Sequence, residues 1–213
     1  MRRMSLLCAV KVDGIPGYEL LESVDFNGSQ YILTDIDLRS PNYTVSVSYL
    51  DEGTYNRFGS VFRILSYDGA LLAIVQTPGR DNGGNITHYI SSWTGNIPAE
   101  DKSGGPASGA TLKNGEAILY FANGNSIKHT MYSRASAYPL YFVLGNSYNA
   151  NADGSVASWV SGKGWIGKIY SCQIKDASGT TTLHNLVAVK QRSTNYIGMY
   201  DTVNNRFYRR MDL

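Results

Sequence analysis

Two pairs of carboxylates lie close together along the chain: Asp35 and Asp37 in TDIDL, and Glu22 with Asp25 in LESVD. Retaining glycosidases need two carboxyl groups about 5–5.5 Å apart, and a strand delivers residues i and i+2 or i+4 to one face. Glu100 and Asp101 are adjacent and point to opposite sides of an extended chain. All of these carboxylates are expected to be structural, at turns or strand edges. The three histidines, His88, His129 and His184, stand far from one another, and no G-x-S-x-G elbow occurs. Cys172 has Lys168 and Lys175 in its neighbourhood, and a close lysine lowers a thiol pKa. Four positions along a strand is about 13 Å, which is too far to matter much. Cys172 therefore reads as a packing residue, no catalytic residue is assigned, and the chain is expected not to be an enzyme.

Binding chemistry needs less. The segment Asn149-Ala-Asn151-Ala-Asp153-Gly154 places oxygen side chains at alternate positions before a glycine, as the start of an EF-hand loop does. Its first ligand is a neutral Asn, and Val160 stands where a bidentate Glu belongs. Calcium at Asn149, Asn151 and Asp153 would be weak, and no cofactor is expected. Sugar recognition uses aromatic faces for C–H surfaces and nearby amides or carboxylates for hydroxyls. Trp93 beside a long polar loop, Tyr148 in GNSYNANADG and Trp159 in ASWVSGKGW have that setting, with Asn149 and Asn151 as polar partners. Three N-x-[ST] sequons, at Asn27, Asn42 and Asn85, are read as coincidental in an Asn-rich chain.

The elements that hold these residues are strands. In Tyr43–Tyr49 the apolar residues alternate strictly with Thr and Ser, the pattern of a strand with one buried face. Similar runs recur at 60–65, 70–76, 88–93, 117–121, 140–144, 165–174, 183–189 and 196–200. Gly, Asn, Asp and Ser clusters separate them, and Asn114-Gly115 marks a hairpin. In 165–174 the apolar residues fall on both alternation sets, Ile166, Tyr170, Cys172 and Ile174 against Trp165 and Ile169. That predicts a strand covered on both sides. The weakly patterned stretch 94–109 reads as a surface loop. With 16 Tyr, 22 Gly, few charges and no sustained helical period, the composition suits an all-β, two-sheet antiparallel sandwich of jelly-roll type.

A net charge of +2 with scattered Lys and Arg makes no electrostatic case for nucleic acid. No apolar run approaches the roughly 18 residues of a membrane span. The basic, briefly apolar start MRRMSLLCAV has no A-x-A-like site after it. It reads as an N-terminal arm or first strand over residues 1–20, available for docking, ahead of a domain spanning 21–213. An extracellular protein without a secretory signal needs another exit route, and cell lysis by a virus is one. Cys8 and Cys172 are too few for a disulfide framework and are read as two free thiols.

Near the end of the chain come GKIYSCQIKD, TTLHNLVAVKQ and NYIGMYDTVNNRFY, and near its start NGSQYILTDIDL. These resemble the closing and opening segments of concanavalin A-like lectin/glucanase (LamG-like jelly-roll) domains, which occur in phage and gut-bacterial surface proteins. The match frames residues 20–210. Leu33 and Asp35 replace the family's usual Asp and Gly, and Ala188 stands where Pro is common. The resemblance implies two packed antiparallel sheets with the N- and C-terminal segments adjacent. The E-x-D-x-x-E strand of the family's glucanases has no counterpart here, so it supplies no catalytic residue. The expectation is a non-catalytic recognition or adhesion module that binds bacterial surface glycan at the surface of a virion or, alternatively, of a bacterial cell. It would meet other virion proteins through the N-terminal arm, and a homo-oligomer is left open. Alternatives are a structural capsid or tail decoration that binds no sugar, and a divergent glycoside hydrolase using Asp35 and Asp37.

Overall fold

The computed structural model describes residues 14–39, 42–52, 56–65, 71–80, 86–92, 95–100, 107–113, 115–130, 136–139, 141–146, 148–159 and 164–213. For 64–65, 71–80, 86–92 and 95–100 the description covers the course of the backbone alone. Among the described residues every element is a strand and every strand pairing is antiparallel.

Nineteen strands follow in chain order: β1 (Tyr18–Leu20), β2 (Val24–Asn27), β3 (Gln30–Asp37), β4 (Tyr43–Asp51), β5 (Asn56–Leu65), β6 (Leu71–Arg80), β7 (Ile86–Ser92), β8 (Gly95–Glu100), β9 (Ala107–Lys113) and β10 (Glu116–Phe121). The rest are β11 (Ser126–His129), β12 (Tyr141–Leu144), β13 (Tyr148–Ala150), β14 (Val156–Trp159), β15 (Ile166–Asp176), β16 (Thr182–Gln191), β17 (Ile197–Asp201), β18 (Arg206–Arg209) and β19 (Met211–Asp212). A ten-stranded sheet runs β11-β10-β9-β4-β15-β16-β17-β18, with β1 on β16 and β2 on β15. A seven-stranded sheet runs β19-β3-β12-β5-β6-β7-β8, and β13 and β14 form a separate hairpin.

The two large sheets enclose one apolar core, and the alternation along each strand decides which residues enter it. In β4, Val45, Val47 and Tyr49 are buried while Ser46 and Ser48 face outward, half-buried. In β3, Ile32, Thr34 and Ile36 point inward. Such a period-two pattern works only if one face is covered by a second sheet. The chain is thus an all-β antiparallel sandwich, as its patterning predicts. Its ends meet as expected: β19 pairs with β3, the Leu213 amide donates to the Ser29 carbonyl at 2.9 Å, and the Arg210 guanidinium donates to the Asp25 carbonyl at 2.7 Å.

Two expectations need correction. The strand at 165–174 is not covered on both sides. Its pairing with β4 slips between Ile169 and Ser171, leaving Tyr170 as the extra residue of a bulge. A bulge shifts the alternation by one, so Ile169 and Cys172 both point into the core while Ile166 is 41% exposed. Two apparent apolar faces are one face, interrupted. Gly167 lies just before the bulge because there is no room for a side chain: a Cβ there would stand 2.3 Å from the Trp165 ring and 2.4 Å from the Leu50 carbonyl.

The stretch 94–109 is also not simply a loop, since it contains β8 and the start of β9. Strand β8 is an edge strand carrying Pro98. Proline cannot donate to a ladder, so it is tolerated on an edge, and it hides the strand from a pattern search.

Candidate ligand-binding site

The β13–β14 hairpin lies over the outer face of the seven-stranded sheet. That face is built from Tyr31 and Leu33 of β3, Val143 of β12 and Arg63 of β5, because Val143 pairs with Leu33 on one side and with Arg63 on the other. Tyr148 and Ala150 from the hairpin bury Val143 completely, and Leu33, Val156 and Trp159 pack around them in a second, smaller apolar cluster.

The hairpin closes at Asn151–Ser155. Asn151 donates its amide to the Ser155 carbonyl at 2.8 Å, and the Gly154 amide returns to the Asn151 carbonyl at 2.9 Å. Gly154 has φ +83°, and its Hα side lies against Tyr141 and Pro139, where a Cβ would come within 2.5 Å of the Tyr141 ring. Only glycine meets both conditions.

Of the residues the sequence singles out, the structure gathers Tyr148, Asn149, Asn151, Asp153 and Trp159 on this hairpin; Trp93 lies outside the described residues, as does Cys8. Tyr148 is not an exposed platform. Its ring is fully buried, its hydroxyl donates to the Tyr141 carbonyl at 3.5 Å, and burial pushes its pKa up to about 12. In β13 it takes the inward position, and Asn149 the outward one. Trp159 is half-buried. One side of its ring packs on Tyr31 at 4.0 Å between centroids, and Tyr148 stands behind it at 6.0 Å. Asn149 pairs across the hairpin with Ser158, its amide donating to the Ser158 hydroxyl at 3.0 Å, and both are exposed.

At the weak calcium candidate one carboxylate oxygen is taken up by the turn, while Asn149 and Asn151 bond through their side-chain nitrogens. Asp153 Oδ1 accepts the Ser155 amide at 2.9 Å and its hydroxyl at 2.6 Å, hydrogen bonds that lower the Asp153 pKa. The Asn151 amide donates to the Ser155 hydroxyl at 3.0 Å. Among the described residues no group of three or more His, Cys, Asp or Glu side chains converges.

Of the paired carboxylates, Asp35 and Asp37 are engaged as structural ties. Asp35 forms an ion pair with Arg206 and accepts the Tyr208 hydroxyl at 3.0 Å, which binds β18 of one sheet to β3 of the other. Asp37 is held by Arg39, whose Nε donates at 2.7 Å. Cys172 is completely buried and is a free thiol; burial, with a smaller contribution from Asp201, pushes its pKa far above the usual range.

The structure also makes a pairing the sequence hides. His184 Nδ1 sits 2.7 Å from Asp201 Oδ2. Burial works to raise the pKa of Asp201, yet it is held at about 2, because His184, the Asn204 amide and the backbone amides of Asn185 and Val203 all bond its carboxylate. Its role is to fix the β17–β18 turn. Seventeen residues separate the two groups, so only the cross-strand register Leu186↔Asp201 reveals the neighbourhood. Arg63 is a second residue missed. Its signal was a lone cation inside the apolar run Val61-Phe62-Arg63-Ile64-Leu65.

No known family profile matches the chain, and no curated protein does. Among solved structures it is similar to the full-length tailspike protein 2 of Escherichia coli O157:H7 bacteriophage CAB120, with TM-score 0.50 and 11% identity, over 83% of this chain and 27% of the tailspike. The chain thus spans about a quarter of the tailspike's length. Scytalido-glutamic peptidase, solved with a peptide-based transition-state analogue, matches at TM-score 0.37 and 12% identity over 90% of this chain and all of the peptidase. The extracellular region of zebrafish Gpr126 matches at TM-score 0.35 and 12% identity over 89% of this chain and 27% of that region. What the tailspike likeness shows is the β-sandwich fold. Among the described residues, no helix is long and apolar enough to cross a membrane.

Proposed function

We propose that this chain is a non-catalytic recognition module of the concanavalin A-like kind, which binds bacterial surface glycan from the surface of a phage particle. The observation that carries it is the half-buried Trp159, fixed against Tyr31 and bordered by the exposed Asn149–Ser158 pair. A ring held rigid on one side loses little entropy when the other side meets the C–H face of a sugar. An amide and a hydroxyl beside it can exchange their mutual bond for bonds to sugar hydroxyls. The tailspike, a phage surface protein with a similar sandwich, supports the virion setting. Against a hydrolytic role stands the engagement of Asp35 and Asp37 with arginines.

The test is an array of bacterial surface polysaccharides probed with the full chain. Wild type is expected to bind a subset, and Trp159→Ala to weaken that binding by about 30-fold, the loss of roughly 2 kcal/mol typical of an aromatic anchor. Asn149→Ala, which leaves the aromatic packing in place, should weaken it several-fold. Binding to no glycan, or release of reducing ends from one, contradicts the proposal.

A further inference from the structure

Pairing register sets out the outer face of the ten-stranded sheet residue by residue, because residues directly opposite in an antiparallel ladder share a face. Tyr120 of β10 lies opposite Gly109 of β9, Gly109 opposite Ser48 of β4, and Ser48 opposite Ser171 of β15. The line continues from Ser171 to Val187 of β16, Tyr200 of β17 and Phe207 of β18. The next line, through Leu119, Ala110, Val47, Cys172 and Leu186, is buried in the core, so the first faces outward. Its side chains are half-buried, and the Tyr120 ring leans over Gly109, where a Cβ would meet it at 3.7 Å.

Large rings stand toward the two ends of this line and the smallest side chains in the middle. At one end is Tyr120. At the other, Tyr18 of β1 packs on Tyr200 at 4.8 Å and on Phe207 at 5.4 Å between ring centroids, all three half-buried. Between them Gly109, Ser48 and Ser171 form a low floor. A parallel outward line of Thr111, Ser46, Gln173 and Asn185 borders that floor with hydroxyls and amides. From β10 to β17 is five strand spacings, about 24 Å. Lys168 on this face is matched by Glu52, and Lys113 and Lys128 share Glu116. Lys175, opposite Thr44, and Arg209, over the Tyr196 ring, form no ion pair among the described residues. They leave the face with uncompensated positive charge.

We propose that this face is a second polysaccharide-binding site, which takes an extended acidic chain such as a polyuronate across the strands. It shares the ligand class of the reading above but none of its residues, since Trp159 lies over the other sheet. A protein interface has an apolar centre and a polar rim. Here the order is reversed, which suits a polymer that needs hydrogen-bonding partners along its length and aromatic faces for its rings. Tyr120 and the Tyr18–Tyr200–Phe207 cluster hold pyranose faces, and the Ser, Thr, Gln and Asn side chains meet hydroxyls. Lys175 and Arg209 meet the carboxylates.

The probes are disaccharides and octasaccharides cut from uronate-containing bacterial capsules, with carboxyl-reduced octasaccharides as the neutral control. Wild type should bind the octasaccharide of at least one capsule far more tightly than its disaccharide, because only a long chain reaches both sets of rings. Ser48→Tyr fills the floor without removing a core contact, and Tyr200→Ala removes a ring; each should weaken octasaccharide binding by about tenfold. Tyr200→Phe should bind as wild type does. Lys175→Gln should weaken the acidic octasaccharide and leave the neutral one unchanged. In wild type the amide resonances of Ser48 and Ser171 should shift on binding, a readout that needs no variant. Absence of octasaccharide binding, or binding without those shifts, overturns the proposal. Binding lost in Trp159→Ala but unchanged in Ser48→Tyr also overturns it, and leaves the Trp159 reading standing. Binding lost in a folded Ser48→Tyr protein and kept in Trp159→Ala supports it.

Discussion

Asp201 shows how a single side chain holds two elements. It takes side-chain bonds from His184 and the Asn204 amide and backbone amides from Asn185, Val203 and Asn204, so removing its charge strands several donors at once. Asp201→Asn should cost about 1–3 kcal/mol in urea unfolding at pH 7. The pH dependence has a definite sign. The folded pKa, about 2, lies below the unfolded value of roughly 3.9, so the contribution is complete above about pH 5 and disappears as pH falls toward 2. The difference between wild type and Asp201→Asn should accordingly shrink between pH 5 and pH 2.5; a constant difference would show that the charge is irrelevant. Little of this could be read in the sequence, where Asp201 looks like any acidic turn residue. Cys172 was legible because an isolated cysteine in an apolar strand is usually a small core residue. Tyr148 was misplaced for a simple reason: composition locates a tyrosine on a polar hairpin, but the register of that hairpin decides which way its ring points.

At the level of elements, the period-two runs located most strands and failed where a local irregularity broke the period. The Tyr170 bulge made one buried face resemble two, and Pro98 concealed an edge strand within what looked like a loop. The β13–β14 hairpin was legible as a polar loop with aromatics, but not as a lid on the outside of a sheet, since nothing local encodes which surface it covers. Its conformation depends on Gly154 at φ +83° against Tyr141. Gly154→Ala combines a strained backbone with a clash, and should cost about 1–3 kcal/mol. Hydrogen exchange should accelerate over 148–159 before it does in β15 or β16. Equal acceleration everywhere would mean that the hairpin is not an independent unit of stability. Glycan binding should fall in the same variant, because Trp159 is positioned by that hairpin.

For the whole molecule, the sandwich followed from strand patterning and from the terminal motifs, because closing the fold requires the two ends to meet: β1 on β16, β2 on β15 and β19 on β3. Cys172 lies at the centre of the sheet these ends complete. Its thiol should therefore react with a disulfide probe only through global opening, and peptide mapping should show its labelling rate rising with urea in step with unfolding. Fast labelling of Cys172 in the native protein would contradict the packing described here.

In the proposed function Trp159 meets a sugar while the rest of the sandwich serves as a scaffold. The protein carries its own control, because Trp165 is buried and its indole Nε1–H donates to Asp51 at 3.2 Å. Titrating the protein, 15N-labelled, with oligosaccharides from a bacterial surface polysaccharide bound on the array tests the claim directly. The Trp159 indole resonance should move with saturation while that of Trp165 stays in place. A titration in which Trp159 remains still, whatever else shifts, would contradict it.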